Sequence, residues 1–390
     1  METNLLWVCL FVALLLGWFL GYKFTPGRGV KGRQYKPSNE MKHRLQLFFD
    51  SYTDESIDSF VHSLEVSYDT FDIHISIGKQ FRTQGEVEKA ILIHQNLMAH
   101  PELPEKASDI IIYELAKDYQ AAGLFDRAES LLLQLSGSKQ FGVKSQNRLL
   151  NLYEHEKDWG SAISQGLRID YKKSPEIAKR VAQYYCELAE EKLMTNSIRD
   201  ARMDYVKALS IHKSCIRALL GLAKLDIINL DYIAALNFLK KLAELSPENI
   251  TLILPDLLIC TKATDSFEQH QSYLLSLLAE TGQVPVMLAI VESKIEQGDK
   301  KGALRLLMDK IKSAPSISAL DLVFSSHDIN NEEKVELLTV VPALLLRVQN
   351  EQSNYRCGQC GFNLSQLHWM CPGCKGWQTI KPVVEYEQGV

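Results

Sequence analysis

The chain has 390 residues, of which 46% are hydrophobic and 23% are charged, and its formal net charge is -5. This composition is ordinary for a folded protein with a sizeable core, and it excludes a wholly disordered chain. No long basic face occurs outside one short N-terminal run, so the sequence predicts no nucleic-acid partner.

Residues 1–22 are predicted to form a transmembrane anchor. The run from Leu5 to Gly21 is uncharged and almost wholly apolar, and with Tyr22 to Phe24 it approaches the ~20 residues that a helix needs to cross the bilayer core. A cleaved secretory signal is the alternative. The only charged residue before the run is Glu2 and no Ala-x-Ala site follows it, so an uncleaved anchor is favoured.

Residues 23–40 form a basic juxtamembrane linker. Seven basic residues and one acidic residue, Glu40, lie between Lys23 and Arg44. By the positive-inside rule, this excess places the rest of the chain in the cytoplasm and predicts a single-pass membrane protein. The glycines and prolines of the run make it a flexible tether that can lie on anionic headgroups, unless it serves only as a topology signal.

Residues 41–350 have the apolar periodicity of helices, and a small residue recurs early in each second helix. The spacings are 38, 34, 39, 34 and 68 residues, the last being twice 34, and the positions are Ala90, Ala128, Ala162, Ala201, Ala235 and Ala303. A 34-residue period of helix-turn-helix units is typical of tetratricopeptide repeats. The predicted fold class is therefore all-α, a tetratricopeptide-repeat superhelix between an N-terminal transmembrane helix and a small C-terminal metal-binding module.

The clearest repeat carries the other marker residues of this pattern. Gly78 precedes Phe81 by three residues, Gly85 makes the turn, and Ala90 follows it. Small residues let the two helices approach closely, while the aromatic side chain fills the groove between them. The next unit repeats the pattern with Ala116, Tyr119, Gly123 and Ala128.

Weaker units complete the predicted array. Residues 252–281 form a degenerate unit with Gln269 at the marker position, residues 41–70 form a divergent first unit with Ser56 there, and residues 318–350 form a final helix pair. About eight units would stack into a superhelix whose concave face, lined by first helices, can bind a partner. The alternative is that the array is only a spacer.

Residues 351–390 contain two CxxC pairs, which predict one metal site. The pairs Cys357–Cys360 and Cys371–Cys374 are separated by ten residues, and four thiolates complete a tetrahedron around one ion. Four nearby glycines allow the tight, partly left-handed turns of such knuckles: Gly358, Gly361, Gly373 and Gly376. The alternative is two disulfides or four cysteines without a role, and a reducing cytoplasm counts against it. Iron and zinc both accept this ligand set.

The remaining candidate residues receive no catalytic or ligand role. His368, between the two pairs, is predicted to lie outside the ligand set because four thiolates already fill it. The other cysteines are predicted to be small buried hydrophobic residues: Cys9, Cys186, Cys215 and Cys260. No Gly-rich phosphate loop, nucleophile elbow or H-E-x-x-H motif occurs, so the chain is predicted not to be an enzyme.

Three features together resemble the lipopolysaccharide assembly protein B family. They are the N-terminal anchor, the repeats containing Ile77–Gln95 and Ala121–Glu129, and the terminal segments Tyr355–Phe362 and Trp377–Pro382. The resemblance covers the whole chain. Its metal knuckles are similar to those of rubredoxin, although only ten residues separate the pairs here.

The resemblance implies a bacterial inner-membrane adaptor whose metal module packs against the repeats. It also implies two partners, a membrane-bound FtsH-type ATP-dependent protease and the deacetylase that commits precursor to lipid A, whose degradation the adaptor promotes. The cysteines of the two pairs would bind one ion, usually described as iron in this family. A scaffold for other lipopolysaccharide assembly proteins and a redox or metal sensor using the CxxC pairs are the alternative functions.

Overall fold

The computed structural model describes residues 66–67, 70–100, 105–169, 171–264, 267–313 and 355–383. The predicted anchor, the linker, most of the divergent first unit and the final helix pair lie outside these ranges. Among the helices that the structure describes, none is both long and apolar enough to cross a membrane.

The described part of the array consists of helices arranged as successive hairpins, as predicted. In chain order the helices are α1 (Phe71–Gln84), α2 (Val87–Met98), α3 (Glu105–Ala121), α4 (Phe125–Gln134), α5 (Gly142–Glu156), α6 (Trp159–Arg168), α7 (Pro175–Met194), α8 (Ile198–Ile211), α9 (Ile216–Ile228), α10 (Tyr232–Leu245), α11 (Ile250–Ala263), α12 (Phe267–Thr281), α13 (Val284–Glu296) and α14 (Lys300–Ser313). Short 3-10 helices cover Leu135–Gly137 and Pro247–Asn249. The helical prediction is confirmed for these residues, and the superhelix stays a prediction.

The marker alanines are buried where paired helices meet. Ala90 and Ala235 are fully buried, as are the markers of α4, α6 and α8, and Ala303 is 2% exposed. A methyl group at this position lets the second helix pack closely on the first. The degenerate unit, which has no such marker, is nevertheless the hairpin of α11 and α12, because its apolar residues supply the same core: Ile253, Leu254, Leu257, Leu274 and Leu277.

In six of the hairpins, the turn between the two helices places one residue in the left-handed region of backbone conformation. Gly85, Gly123 and Gly298 adopt it with φ of 89°, 73° and 85°. Three other turns use Lys157, Asn196 and Leu230 instead, with φ of 58°, 58° and 62°. Glycine adopts this conformation without strain, whereas the other residues must be held there by the flanking helices.

The chain divides into two compact units, residues 1–148 and 149–390. In the first unit, α1, α2 and α3 enclose a buried network of charged residues. The Arg82 guanidinium donates to the carboxylates of Glu114, at 2.7 Å, and Asp118. The other oxygen of Asp118 contacts Nδ1 of His94, which is fully buried. Every charge in this network therefore has a partner of opposite sign or a polar neighbour, as burial requires.

The second unit has an apolar core that runs through α9 to α13. The C-terminal residues 355–383 belong to the same unit. We call residues 355–383 the tetracysteine module. Three short strands form its sheet: β1 (Tyr355–Cys357), β2 (Asn363–Leu364) and β3 (Ile380–Pro382), in the order β2-β1-β3 with both pairs antiparallel. Arg356 lies opposite Asn363 on one side and Lys381 on the other. The sheet joins the two ends of the module and so brings its knuckles together.

Candidate metal centre

The four predicted ligands meet at one point of the tetracysteine module. The sulfurs of Cys357, Cys360, Cys371 and Cys374 all lie within 4.8 Å of one another. Cys357 and Cys371 are buried, Cys374 is half-buried and Cys360 is exposed, so the site is open to solvent on one side. No other group of three or more His, Cys, Asp or Glu residues in the described ranges has this arrangement.

Each CxxC pair is closed by a backbone hydrogen bond from the residue that follows it. The amide of Gly361 donates to the carbonyl of Cys357, and the amide of Lys375 donates to the carbonyl of Cys371, both at 2.9 Å. Gly361 has φ of 75° and Lys375 has φ of 59°. The sequence prediction of left-handed glycines is therefore right for Gly361 and wrong for the second knuckle, where a lysine takes that conformation.

The second knuckle uses its glycine for a different purpose. A Cβ on Gly376 would lie 2.5 Å from Gln359 Oε1 and 2.9 Å from the methyl of Thr379. Both distances are below van der Waals contact, so a side chain at position 376 would displace the ends of Gln359 and Thr379.

The spacing of the sulfurs fits a four-coordinate ion. Cys357 Sγ lies 3.7 Å from Cys374 Sγ, and Cys360 Sγ lies 3.7 Å from Cys371 Sγ. A tetrahedron with metal–sulfur bonds of about 2.3 Å has sulfur–sulfur edges of about 3.8 Å. The four cysteines form a tetrahedral metal-binding site, and the donor set leaves the choice between iron and zinc open.

The surroundings of Cys357 favour its ionised form. Burial raises the pKa of this thiol, but hydrogen bonds with the Thr379 hydroxyl and the backbone amides of Cys360 and Gln359 outweigh burial and lower the pKa to about 6. Thr379 Oγ1 lies 3.3 Å from the sulfur. Because only a thiolate binds a metal ion, these partners prepare the site for its ion.

His368 stays outside the ligand set. It is exposed, and its ring nitrogens do not belong to the group of atoms that converge on the site. The four sulfurs already complete the tetrahedron, which was the reason for leaving His368 out of the predicted ligands.

Trp377, three residues after the last ligand, docks the module on the repeats. Its ring packs edge-on against Trp159 and Tyr184, with ring centroids 6.3 Å and 6.0 Å away. Trp159 begins α6 and Tyr184 lies in α7, and these two rings stack at 5.7 Å. All three side chains are buried, with exposures of 5% for Trp159 and Trp377 and 0% for Tyr184. Edge-to-face packing of buried rings adds about 0.5–1.5 kcal/mol per pair to the burial of their area.

Polar contacts also join the module to the repeats. The Arg217 guanidinium lies 5.7 Å from the centre of the Trp369 ring and is itself held by the carboxylates of Glu187 and Glu190. Gln183 Nε2 donates to Gln378 Oε1 at 3.0 Å. At the edge of the contact, Lys381 pairs with Glu248 at 2.9 Å.

The residues that receive the module come mainly from first helices, α7 and α9, of two neighbouring hairpins. The sequence pattern singled out neither Tyr184 nor Arg217, and it indicated no partner for the aromatic residues of the module. The detectable signal was Arg217, a charge at a position of α9 whose neighbours Ile216, Ala218 and Leu219 are all buried.

Fold and site together define a class: a helical-repeat protein that carries a four-cysteine metal-binding module on its repeats. Residues 355–382 match the family model described as rubredoxin metal binding domain. Along the whole chain, the protein is similar to curated relatives named lipopolysaccharide assembly protein B. The relative from Haemophilus influenzae is 28% identical over 98% of this chain and 99% of its own length. The relative from Escherichia coli K12 is 25% identical over 97% of this chain and 98% of its own length.

The resemblance stated from the sequence is therefore confirmed along the whole chain. Among solved structures, a tetratricopeptide repeat protein from Parabacteroides merdae is 16% identical to this chain. The match covers 70% of this chain and 98% of that protein, with a TM-score of 0.31.

Proposed function

We propose that this protein is a non-enzymatic adaptor, anchored in the bacterial inner membrane with most of the chain in the cytoplasm, that regulates lipopolysaccharide synthesis. The observation that carries the proposal is the similarity over 97–98% of the chain to proteins named for lipopolysaccharide assembly. The metal-binding module docked on helical repeats supports the proposal, because this arrangement offers surfaces to which partners can bind. The sequence also contains no Gly-rich phosphate loop, nucleophile elbow or H-E-x-x-H motif.

In its finer form, the proposal is that the adaptor promotes degradation of the lipid A pathway deacetylase, UDP-3-O-acyl-N-acetylglucosamine deacetylase, by a membrane-bound FtsH-type protease. The anchor would hold the adaptor beside the protease, and the repeats or the module would present the deacetylase. Confining both partners to one assembly raises their effective concentration without any new chemistry.

The half-life of the deacetylase tests this proposal. After depletion of the adaptor in its own bacterium, protein synthesis is stopped and the deacetylase is followed by immunoblot. We expect its half-life and amount to rise, and wild-type protein to restore both. A chain lacking residues 1–22 is the matched control, which should restore neither because it is no longer held at the membrane. An unchanged half-life on depletion would contradict the degradation role.

Crosslinking in membranes, followed by identification of the captured proteins, separates this role from that of a scaffold. Capture of the protease together with the deacetylase supports the adaptor. Capture of other lipopolysaccharide assembly proteins, with a constant deacetylase half-life, supports a scaffold that coordinates those enzymes at the inner membrane.

A redox or metal-sensing role of the CxxC pairs is a second candidate, which the exposure of Cys360 favours. It predicts that the bound ion is released, or the cysteines are oxidised, between reducing and mildly oxidising conditions. Metal content and free thiols measured across that range decide the question. A site that remains loaded and reduced throughout excludes cycling.

A further inference from the structure

Two cysteines outside the metal centre touch one another in the second unit. Cys186 lies in α7 and Cys215 immediately precedes α9, and their sulfurs are 3.7 Å apart. Both side chains are fully buried. The sequence does not indicate this contact, because the two cysteines are 29 positions apart with no motif that links them, and only the packing of α7 near α9 brings them together.

The two sulfurs have different surroundings. Cys215 is the N-cap residue of α9, and Gln183 Nε2 lies 3.4 Å from its sulfur. A hydrogen bond with Cys186 lowers the pKa of the Cys215 thiol. Burial opposes this, while the backbone amides of Ala218 and Arg217 and the Arg217 charge reinforce it. Burial and the same hydrogen bond raise the pKa of Cys186. Of the two thiols, Cys215 therefore loses its proton more readily.

We propose that Cys186 and Cys215 are a reactive thiol pair that a small peroxide converts to a disulfide. Contact with a second thiol is what a disulfide requires, and a sulfur at a helix N-terminus is the better nucleophile of the two. Because both sulfurs are fully buried, the proposal requires an oxidant as small as hydrogen peroxide, which is little larger than water. The inference does not depend on the proposed adaptor function.

The reaction balances with peroxide as the only co-reactant. After the Cys215 thiol has lost its proton, the thiolate attacks one peroxide oxygen, the O–O bond breaks, and the departing hydroxide takes up that proton to become water. The sulfur of Cys186 then attacks the resulting sulfenic acid, the S–O bond breaks, and a second water leaves with the Cys186 proton. Two thiols are thus oxidised by two electrons, and one peroxide is reduced to two waters.

Formation of the disulfide would alter a contact between α7 and the metal module. Its formation shortens the sulfur separation from 3.7 Å to about 2.05 Å, so at least one sulfur must move. Gln183 uses the same amide nitrogen to contact Cys215 and Gln378, at 3.4 Å and 3.0 Å. Displacement of the Cys215 sulfur removes one partner of the amide that joins α7 to the module.

The test uses the full-length, metal-loaded protein in detergent, reduced and then freed of reductant. Hydrogen peroxide is added in increasing amounts, the reaction is quenched in denaturant with N-ethylmaleimide, and tryptic peptides are analysed by mass spectrometry without reduction. We expect the peptides Val181–Lys192 and Ser214–Arg217 to appear joined by a disulfide. Cys260, buried without a described sulfur neighbour, should remain alkylated and serves as the internal reference.

Two variants sharpen the result. With Cys186→Ala, Cys215 should stop at the sulfenic acid and become labelled by dimedone, and with Cys260→Ala the disulfide should form at the wild-type rate. Circular dichroism checks that both variants fold. If either variant is misfolded, the oxidation rates of Cys215 and Cys260 in the wild-type protein test the proposal. Oxidation of Cys215 no faster than that of Cys260, with metal still bound, would overturn the proposal.

Discussion

At the scale of single residues, burial and partners decide what each ionisable group contributes. Glu114 illustrates this in the first unit, because its carboxylate is 6% exposed yet surrounded by three cations, Lys79, Arg82 and Lys117. Burial raises the pKa of Glu114, but the hydrogen bonds and charges of these cations prevail and lower it to about 2. The charged form of Glu114 therefore stabilises the folded chain.

This pKa predicts a loss of stability in acid. The pKa of Glu114 in the folded chain lies below its ordinary value of 4.5, so its stabilising contribution is complete above about pH 4.5 and is lost as the pH falls towards 2. By proton linkage, the contribution is about 3 kcal/mol. We expect Glu114→Gln to lower the free energy of unfolding at pH 7 and to flatten its decline below pH 4.5. Urea unfolding at several pH values measures both effects.

The exposed carboxylate Asp126 provides the control, because Asp126→Asn changes the same formal charge without touching the buried cations. An equal effect of the two substitutions would mean that net charge, and not the Glu114 contacts, governs acid stability.

The metal ligands allow a second prediction at this scale. Cys371→Ser removes a buried thiolate, and a module with so small an apolar core cannot hold its fold without its ion. We expect bound metal to be lost and the amide protons of residues 355–383 to exchange rapidly, while the helical circular dichroism signal persists. Cys260→Ala is the control and should retain metal. Collapse of helicity in the Cys371→Ser protein would show that the array needs the module to fold.

At the scale of elements, much of the architecture follows from the sequence, and the exceptions have local causes. The alanine period locates every second helix except α12, whose core is supplied by larger apolar residues. Glycine indicates three of the turns in the sequence. Equivalent turns are made by Lys157, Asn196 and Leu230, which the sequence pattern does not single out. The position of the module on α7 and α9 was not predictable in this way, since side chains far apart in sequence create it.

Gly78 gives a direct test of helix packing within a hairpin. A Cβ at this position in α1 would lie 2.5 Å from Cε1 of the buried His94 ring in α2. We expect Gly78→Ala to cost about 1–3 kcal/mol through overpacking, although alanine is the better helix former. Thermal unfolding followed by circular dichroism measures the cost.

Gly160, also helical, offers the matched control because its added Cβ would meet only Asp158 Oδ1, at 3.6 Å. Gly160→Ala should be neutral or stabilising by up to about 1 kcal/mol. If the Gly78 variant were equally stable, the two helices would not be packed as closely as the structure has them.

At the scale of the whole molecule, the module and the repeats of the second unit share one interface. The four ligands were predictable because their spacing is local, whereas the interface was not, because Trp159, Tyr184 and Trp377 are ordinary aromatic residues until the fold brings them together. Because the module is docked on α7 and α9, unfolding of the metal centre would remove its contacts with these two helices.

Trp377→Ala tests the energetic weight of this interface. The side chain is 5% exposed, and removing a buried tryptophan costs about 3–5 kcal/mol. We expect a lower urea midpoint by circular dichroism and faster tryptic cleavage after Lys375. Phe362, 46% exposed in the same module, supplies the control, and Phe362→Ala should change stability by less than about 0.5 kcal/mol. Equal midpoints for the two variants would contradict a stabilising role for docking.

The contact between Gln183 and Gln378 also sets an order of events during synthesis. These residues are 195 positions apart, so α7 emerges from the ribosome long before its partner has been translated. Until then Tyr184 and Trp159 lack the ring that covers them, and Arg217 lacks its aromatic neighbour. A prematurely terminated chain would display this uncovered aromatic surface permanently, so chaperones and proteases could distinguish it from the finished protein.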